Sequence, residues 1–211
     1  MSVTRAERRR QGKSDQGPPR NRLGLWLAIG ATLPVAAGVV AIAIVNRQAI
    51  PKSASDAPIY APLTVGQSAP PFDVTTIDGQ RIDSSALHGP ILLEIFATWC
   101  PHCRRETAVL KQLNDKYGKN LSIVSVTGSD IGSDERSTET ADDVRGFAQY
   151  FKLNYPVAYD PDLTVAKKYL QGGFPTVVFI SASKQITSVE SGEIPMKKLT
   201  QDAAKAGAQP G

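Results

Sequence analysis

The stretch FATWCPHCRRE, residues 96 to 106, holds both cysteines of the chain, Cys100 and Cys103, within four positions. Two thiols at that spacing can close on each other as a disulfide, supply half of a metal site, or belong to a short structural loop. Zinc takes about four ligands, and the chain offers only these two cysteines, His88 and His102, with His102 lying between the thiols. That supply argues against a metal centre. Disulfide chemistry instead asks for one thiolate that attacks and one thiol that resolves the mixed disulfide so formed. The residues around the pair provide for the difference. Pro101 suits the first turn of a helix, where its missing N–H costs nothing, and Val109, Leu110, Leu113 and Tyr117 then recur at helical spacing. Cys100 is therefore expected at a helix N-terminus, where free amides and the positive end of the helix dipole stabilise a thiolate. Cys103, one turn further in, lacks that benefit. The pattern predicts an exposed attacking thiol at Cys100 and a shielded resolving thiol at Cys103.

Such a pair has to be held by a rigid frame, and the flanking sequence describes one. Ile91 to Ala97, ILLEIFA, reads as a strand buried on both faces that feeds directly into the cysteines. Leu121 to Thr127, LSIVSVT, reads as a second central strand. Gly128 to Ala141 is polar and is expected to be a mobile surface loop. Val144, Phe147 and Phe151 mark a helix, and Leu163, Ala166, Lys167 and Leu170 another. Residues 172–181 give a strand beginning at a proline, Gln185 to Ser191 its partner, and Pro195 to Ala206 a last helix with proline at its first position. Upstream, Phe72 to Asp83 contains Asp78-Gly79, the signal of a two-residue type I′ hairpin. The class expected is an alternating α/β domain over residues 62–211.

The formal charge of the 211 residues is +4, with 24 Lys/Arg against 20 Asp/Glu. Seven of those basic and two of those acidic residues lie in residues 1–22, so the rest is close to neutral and shows no nucleic-acid footprint. Leu23 to Val45 runs 23 residues without a charge, enough as a helix to cover the roughly 30 Å of bilayer hydrocarbon. It reads as a single transmembrane anchor. The arginines before it place the N-terminus in the cytoplasm and the remainder outside. The other reading is a cleaved signal peptide, for which Ala41-Ile42-Ala43 has the small-x-small form. Residues 46–61, rich in Ala, Pro and Ser, read as a linker.

VGQSAPPFDVTTIDGQRI, LLEIFATWCPHC, DPDLTVAKKY and GGFPT followed by VVFI together resemble the thioredoxin-like fold. Within it they resemble the TlpA/ResA-like, membrane-anchored thiol-disulfide oxidoreductases of bacteria. The likeness spans about residues 62–206. It implies a central mixed sheet flanked by helices behind an N-terminal β-hairpin. It also implies Cys100 as the attacking thiol, Cys103 as the resolving thiol and Pro175 as a cis-proline beside them. A cis X–Pro bond would leave backbone polar groups of Phe174 free to pair with an extended substrate, with Thr176 completing the Gly-x-Pro-Thr signature; an ordinary strand-start proline is the other reading. Glu94 matches the buried acid that thioredoxins place behind the resolving cysteine, where burial raises its pKa and lets it handle the Cys103 proton. Alternatively it faces solvent. The lysine that often accompanies that acid is absent from 121–127. Glu106 matches a glutamate near the site in ResA-like members, or is a solvated helix residue. Trp99 reads as a wall of the site.

The resemblance implies no cofactor beyond the Cys100–Cys103 disulfide itself, and two kinds of partner: protein thiols or disulfides of the bacterial envelope, and a membrane protein that recycles the pair. Direction stays open. Pro101-His102 is the dipeptide of disulfide-donating DsbA-type enzymes, and His102, Arg104 and Arg105 would favour a Cys100 thiolate. The remaining sequence resembles envelope reductants, including those of cytochrome c maturation. A thiol peroxidase and a non-enzymatic binding module are the readings from other classes.

Overall fold

The computed structural model describes residues 62–211. The expected basic tail, anchor and linker lie outside the described residues. Among the described residues no helix is long and apolar enough to cross a membrane.

Five strands make one mixed sheet in the order β5-β4-β3-β6-β7: β3 is Ile91–Phe96, β4 Ser122–Thr127, β5 Val157–Ala158, β6 Thr176–Ile180 and β7 Ile186–Ser191. β3 runs parallel to β4 and antiparallel to β6, so its polar backbone is paired on both edges. Every residue of β3 is buried, as its continuous apolar sequence predicts for a central strand. The period of two then sorts its side chains. Leu92 and Phe96 enter a core with Leu110, Leu113, Phe147 and Leu199. Ile91, Leu93 and Ile95 enter a second core on the opposite face with Phe72, Val74, Tyr169 and Ile186. Glu94, at an even position, is thereby directed to the first face.

That first face is covered by α1 (Pro101–Tyr117), α2 (Ala141–Phe151) and α4 (Met196–Ala206). The second carries α3 (Ala166–Tyr169) and the hairpin of β1 (Asp73–Thr75) and β2 (Arg81–Asp83). Leu110 and Leu113 are fully buried on α1, and each such side chain stabilises the fold by about 1.5–3 kcal/mol. α2 starts with a capping box that sequence reading passed over, in which the Thr140 and Asp143 side chains each bond the other's backbone N–H.

Four local expectations are corrected. The hairpin turn is not type I′. Gly79 alone of the Asp78-Gly79 pair has positive φ, 84°, and its N–H bonds Thr76 O while Thr76 N–H bonds Gln80 O, so the loop is longer than two residues. Leu163 lies outside any helix because its φ is +54°, leaving α3 a single turn. Pro195 caps α4 from outside, with extended backbone. Residues 128–141 are not a loose surface loop: Ile131 and Thr138 form a β-bridge, Glu139 N–H bonds Asp130 O, and Ser129 and Glu139 are buried.

Candidate active site

β3 ends at Phe96, and Ala97, Thr98 and Trp99 turn the chain into α1, with Cys100 N–H bonding Ala97 O at 3.1 Å. Cys100 is the N-cap, at φ −71° and ψ 120°, and Pro101 stands in the first turn as its chemistry demands. The Cys100 sulfur accepts from Cys103 N–H at 3.5 Å and donates to Phe174 O at 3.6 Å. Both thiols are free. The expected exposure of Cys100 is corrected, since it is 4% exposed and Cys103 fully covered.

The Phe174–Pro175 peptide is cis. Phe174 stands edge-on to Trp99, ring centroids 5.9 Å apart, and the two rings form the wall beside the thiol. Thr176 closes the approach to β6, its hydroxyl bonded to the backbone of Gln171 and Gly173. Gly128, at the end of β4, has to lack a side chain: a Cβ there would stand 2.4 Å from Ile95 Cγ2 and 3.0 Å from Phe174 Cε1.

Behind the cysteines, Glu94 is buried on the α1 face and accepts a hydrogen bond from Ser125 Oγ, which the β3–β4 register places opposite it. Its Oε1 has no partner. Burial pushes the Glu94 carboxyl up to about 8, against the Ser125 bond and with help from Glu106. Burial also raises the Cys103 thiol, with the Glu94 charge adding to it. A buried carboxyl and a thiol reluctant to ionise thus stand within electrostatic reach of each other. Glu106 is not a solvated helix residue. It is 1% exposed and accepts from Ile194 N–H at 3.0 Å, and burial raises it to about 7.

His102 does not turn to Cys100. Its Nδ1 lies 2.6 Å from Glu193 Oε1, which also accepts from Arg105. Arg104 Nε donates to Thr98 O. Sequence reading missed four site residues: Ser125, Ser129, Glu139 and Glu193. Ser129 Oγ accepts from Trp99 Nε1 at 2.9 Å, and Thr98 Oγ1 donates to Glu139 at 2.8 Å. Burial pushes the Glu139 carboxyl up to about 7. The only local signal was a serine interrupting the apolar face of LSIVSVT; the other three meet their partners across 30 to 91 positions.

Residues 65–189 match the AhpC/TSA family. The chain is 29% identical over 139 residues to the thiol-disulfide oxidoreductase ResA of Bacillus cereus, covering 65% of this chain and 75% of that one. It is 27% identical over 137 residues to the thioredoxin-like protein YneN of Bacillus subtilis, covering 64% and 76%. Among solved structures, a thiol:disulfide interchange protein of the thioredoxin family from Chlorobium tepidum superposes with a TM-score of 0.54 at 25% identity, over 69% of this chain and 99% of that one. StoA from Bacillus subtilis superposes with a TM-score of 0.52 at 20% identity, over 64% and 96%.

Proposed function

Because the chain belongs to the AhpC/TSA family, with a TlpA/ResA-like sequence on a thioredoxin-like fold, we propose that it reduces disulfides of envelope proteins through Cys100 and Cys103. That it is a thiol-disulfide oxidoreductase follows from its similarity to enzymes of that name. The observation carrying the residue assignment is the asymmetry of the pair. Cys100 caps α1 against the Phe174 carbonyl, and Cys103 lies behind it beside a buried carboxyl.

In the reducing direction the Cys100 thiolate attacks a substrate disulfide. The substrate S–S bond breaks, one substrate sulfur leaves as a thiolate, and the other is held in a mixed disulfide with Cys100. Cys103 gives its proton to Glu94 and attacks the Cys100 sulfur. The second substrate thiolate leaves, and the Cys100–Cys103 disulfide remains. Two electrons have passed to the substrate. Phe174 offers the backbone edge along which an extended substrate lies, Trp99 with Pro101 bounds it, and the buried Thr176 shapes the edge through its bonds to Gln171 and Gly173. No cofactor enters this scheme, and a membrane thiol donor restores the pair. The domain sits outside the bacterial cytoplasmic membrane, held by the single span 23–45, an arrangement supported by the sequence pattern of a basic tail followed by an apolar run. Cytochrome c maturation, with thiols awaiting haem, is one process that such a reductant serves.

Insulin reduction with dithiothreitol as donor tests the assignment. Cys100→Ser is expected to abolish activity, and Cys103→Ser to accumulate a mixed disulfide that mass spectrometry finds on Cys100. Adducts confined to Cys103, or activity surviving Cys100→Ser, would overturn it.

A further inference from the structure

The segment Gly192-Glu193-Ile194, between β7 and α4, is fastened to the redox site on both sides of one side chain. Gly192 N–H bonds Pro175 O at 2.8 Å, and Ile194 N–H bonds the buried Glu106 carboxyl at 3.0 Å. Between them Glu193 is held over the first turn of α1. One of its oxygens lies 2.6 Å from His102 Nδ1, 2.9 Å from Arg105 Nε and 2.5 Å from Arg105 Nη2. These bonds hold the Glu193 carboxyl down to about 2, so it is charged at any working pH. The Glu193 hydrogen bonds, with a smaller contribution from a charge on Cys100, raise Arg105, which stands five positions after Cys100 near the start of α1.

From this geometry we propose that Glu193 is a potential-setting residue that cancels the positive charge at the mouth of the site and thereby keeps the Cys100–Cys103 pair reducing. The inference rests on the redox reading above. Reduction of the pair takes up two electrons and two protons as one S–S bond becomes two thiols, and any cation beside Cys100 favours the reduced side through its thiolate. A pair whose reduced form is stabilised is a stronger oxidant. His102 and Arg105 would push in that direction, and Arg105 keeps its charge throughout. Glu193 opposes both at hydrogen-bond distance. The anchoring to Pro175 and Glu106 makes the carboxylate a fixed part of the site.

The test is the equilibrium of the full-length chain in detergent with reduced and oxidised glutathione, read by alkylation and mass spectrometry. The variants compared are Glu193→Gln, Arg105→Gln, the double variant, and Asp115→Asn as a charge-loss control at the end of α1 away from the cysteines. Glu193→Gln is expected to shift the equilibrium roughly tenfold towards the dithiol, about 30 mV more oxidising. In the Arg105→Gln background the same substitution should shift it much less, and Asp115→Asn not at all. A Glu193→Gln equilibrium equal to that of the unsubstituted protein, or an undiminished effect without Arg105, would overturn the proposal. Failure of the unsubstituted pair to exchange with glutathione would instead overturn the redox reading on which it rests.

Discussion

The Glu94 carboxyl, held up to about 8 by burial, is largely protonated at neutral pH and close enough to neutrality for the proton exchange with Cys103 that the proposed mechanism asks of it. Glu94→Gln keeps the shape and removes that exchange, so the step that resolves the mixed disulfide should slow by about 10²-fold. Stopped-flow reduction of a peptide disulfide measures it, and an unchanged rate would remove Glu94 from the mechanism. The same burial ties stability to pH. Glu94, Glu106 and Glu139 all bind their protons more tightly folded than unfolded. Their contribution is therefore complete below the unfolded value of about 4.3 and is lost as pH rises through about 7 and about 8. The melting temperature of the reduced protein is expected to fall between pH 5 and pH 8.5. In Glu94→Gln the upper part of that fall should be shallower, and a parallel curve would contradict the assignment. At this scale the placement of Cys100 and Cys103 at the start of α1 was legible in the local pattern, and the burial of Glu94 in the resemblance to thioredoxins. Glu193 was not, because its neighbours are set by the β7–α4 connection meeting α1.

At the scale of elements, the end of β4 and the loop after it govern how closely the strands approach the cysteines. Gly128→Ala would drive a Cβ into Ile95 and Phe174. Chemical denaturation should show a loss of about 1–3 kcal/mol, accompanied by altered thiol reactivity as Phe174 moves. Full stability in that variant would mean that the contact relaxes freely. Ser129→Ala removes one bond to Trp99. A loss of about 1 kcal/mol with a shift in Trp99 emission is expected, and an unchanged spectrum would show that the loop does not hold the indole. Strands and helices were largely readable, since β3, β4, β6 and α1 carry strong hydrophobic patterns. The 128–141 loop was misjudged because its polar composition predicts solvation, whereas its order comes from Glu139 reaching back to Thr98 and from the Ile131–Thr138 bridge. The hairpin turn was misjudged because Asp-Gly fits several turn types, and the bonds from Thr76 chose a longer one.

For the whole molecule, the proposal that the active site works tethered to a membrane surface rests on the sequence pattern of an apolar run beside a basic tail. Alkaline carbonate extraction of the full-length chain from bacterial membranes is expected to leave it in the pellet, with Cys100 alkylated by an impermeant reagent added from outside. Release into the supernatant, or labelling only after lysis, would contradict that arrangement. The central claim concerns the pair itself, and the most direct measurement is its reduction potential in the full-length chain, titrated with defined thiol buffers. A single two-electron transition near the roughly −270 mV of thioredoxin, or lower, is the result predicted for an envelope reductant. A transition near the roughly −120 mV of DsbA would contradict the direction, and no reversible transition would contradict the function.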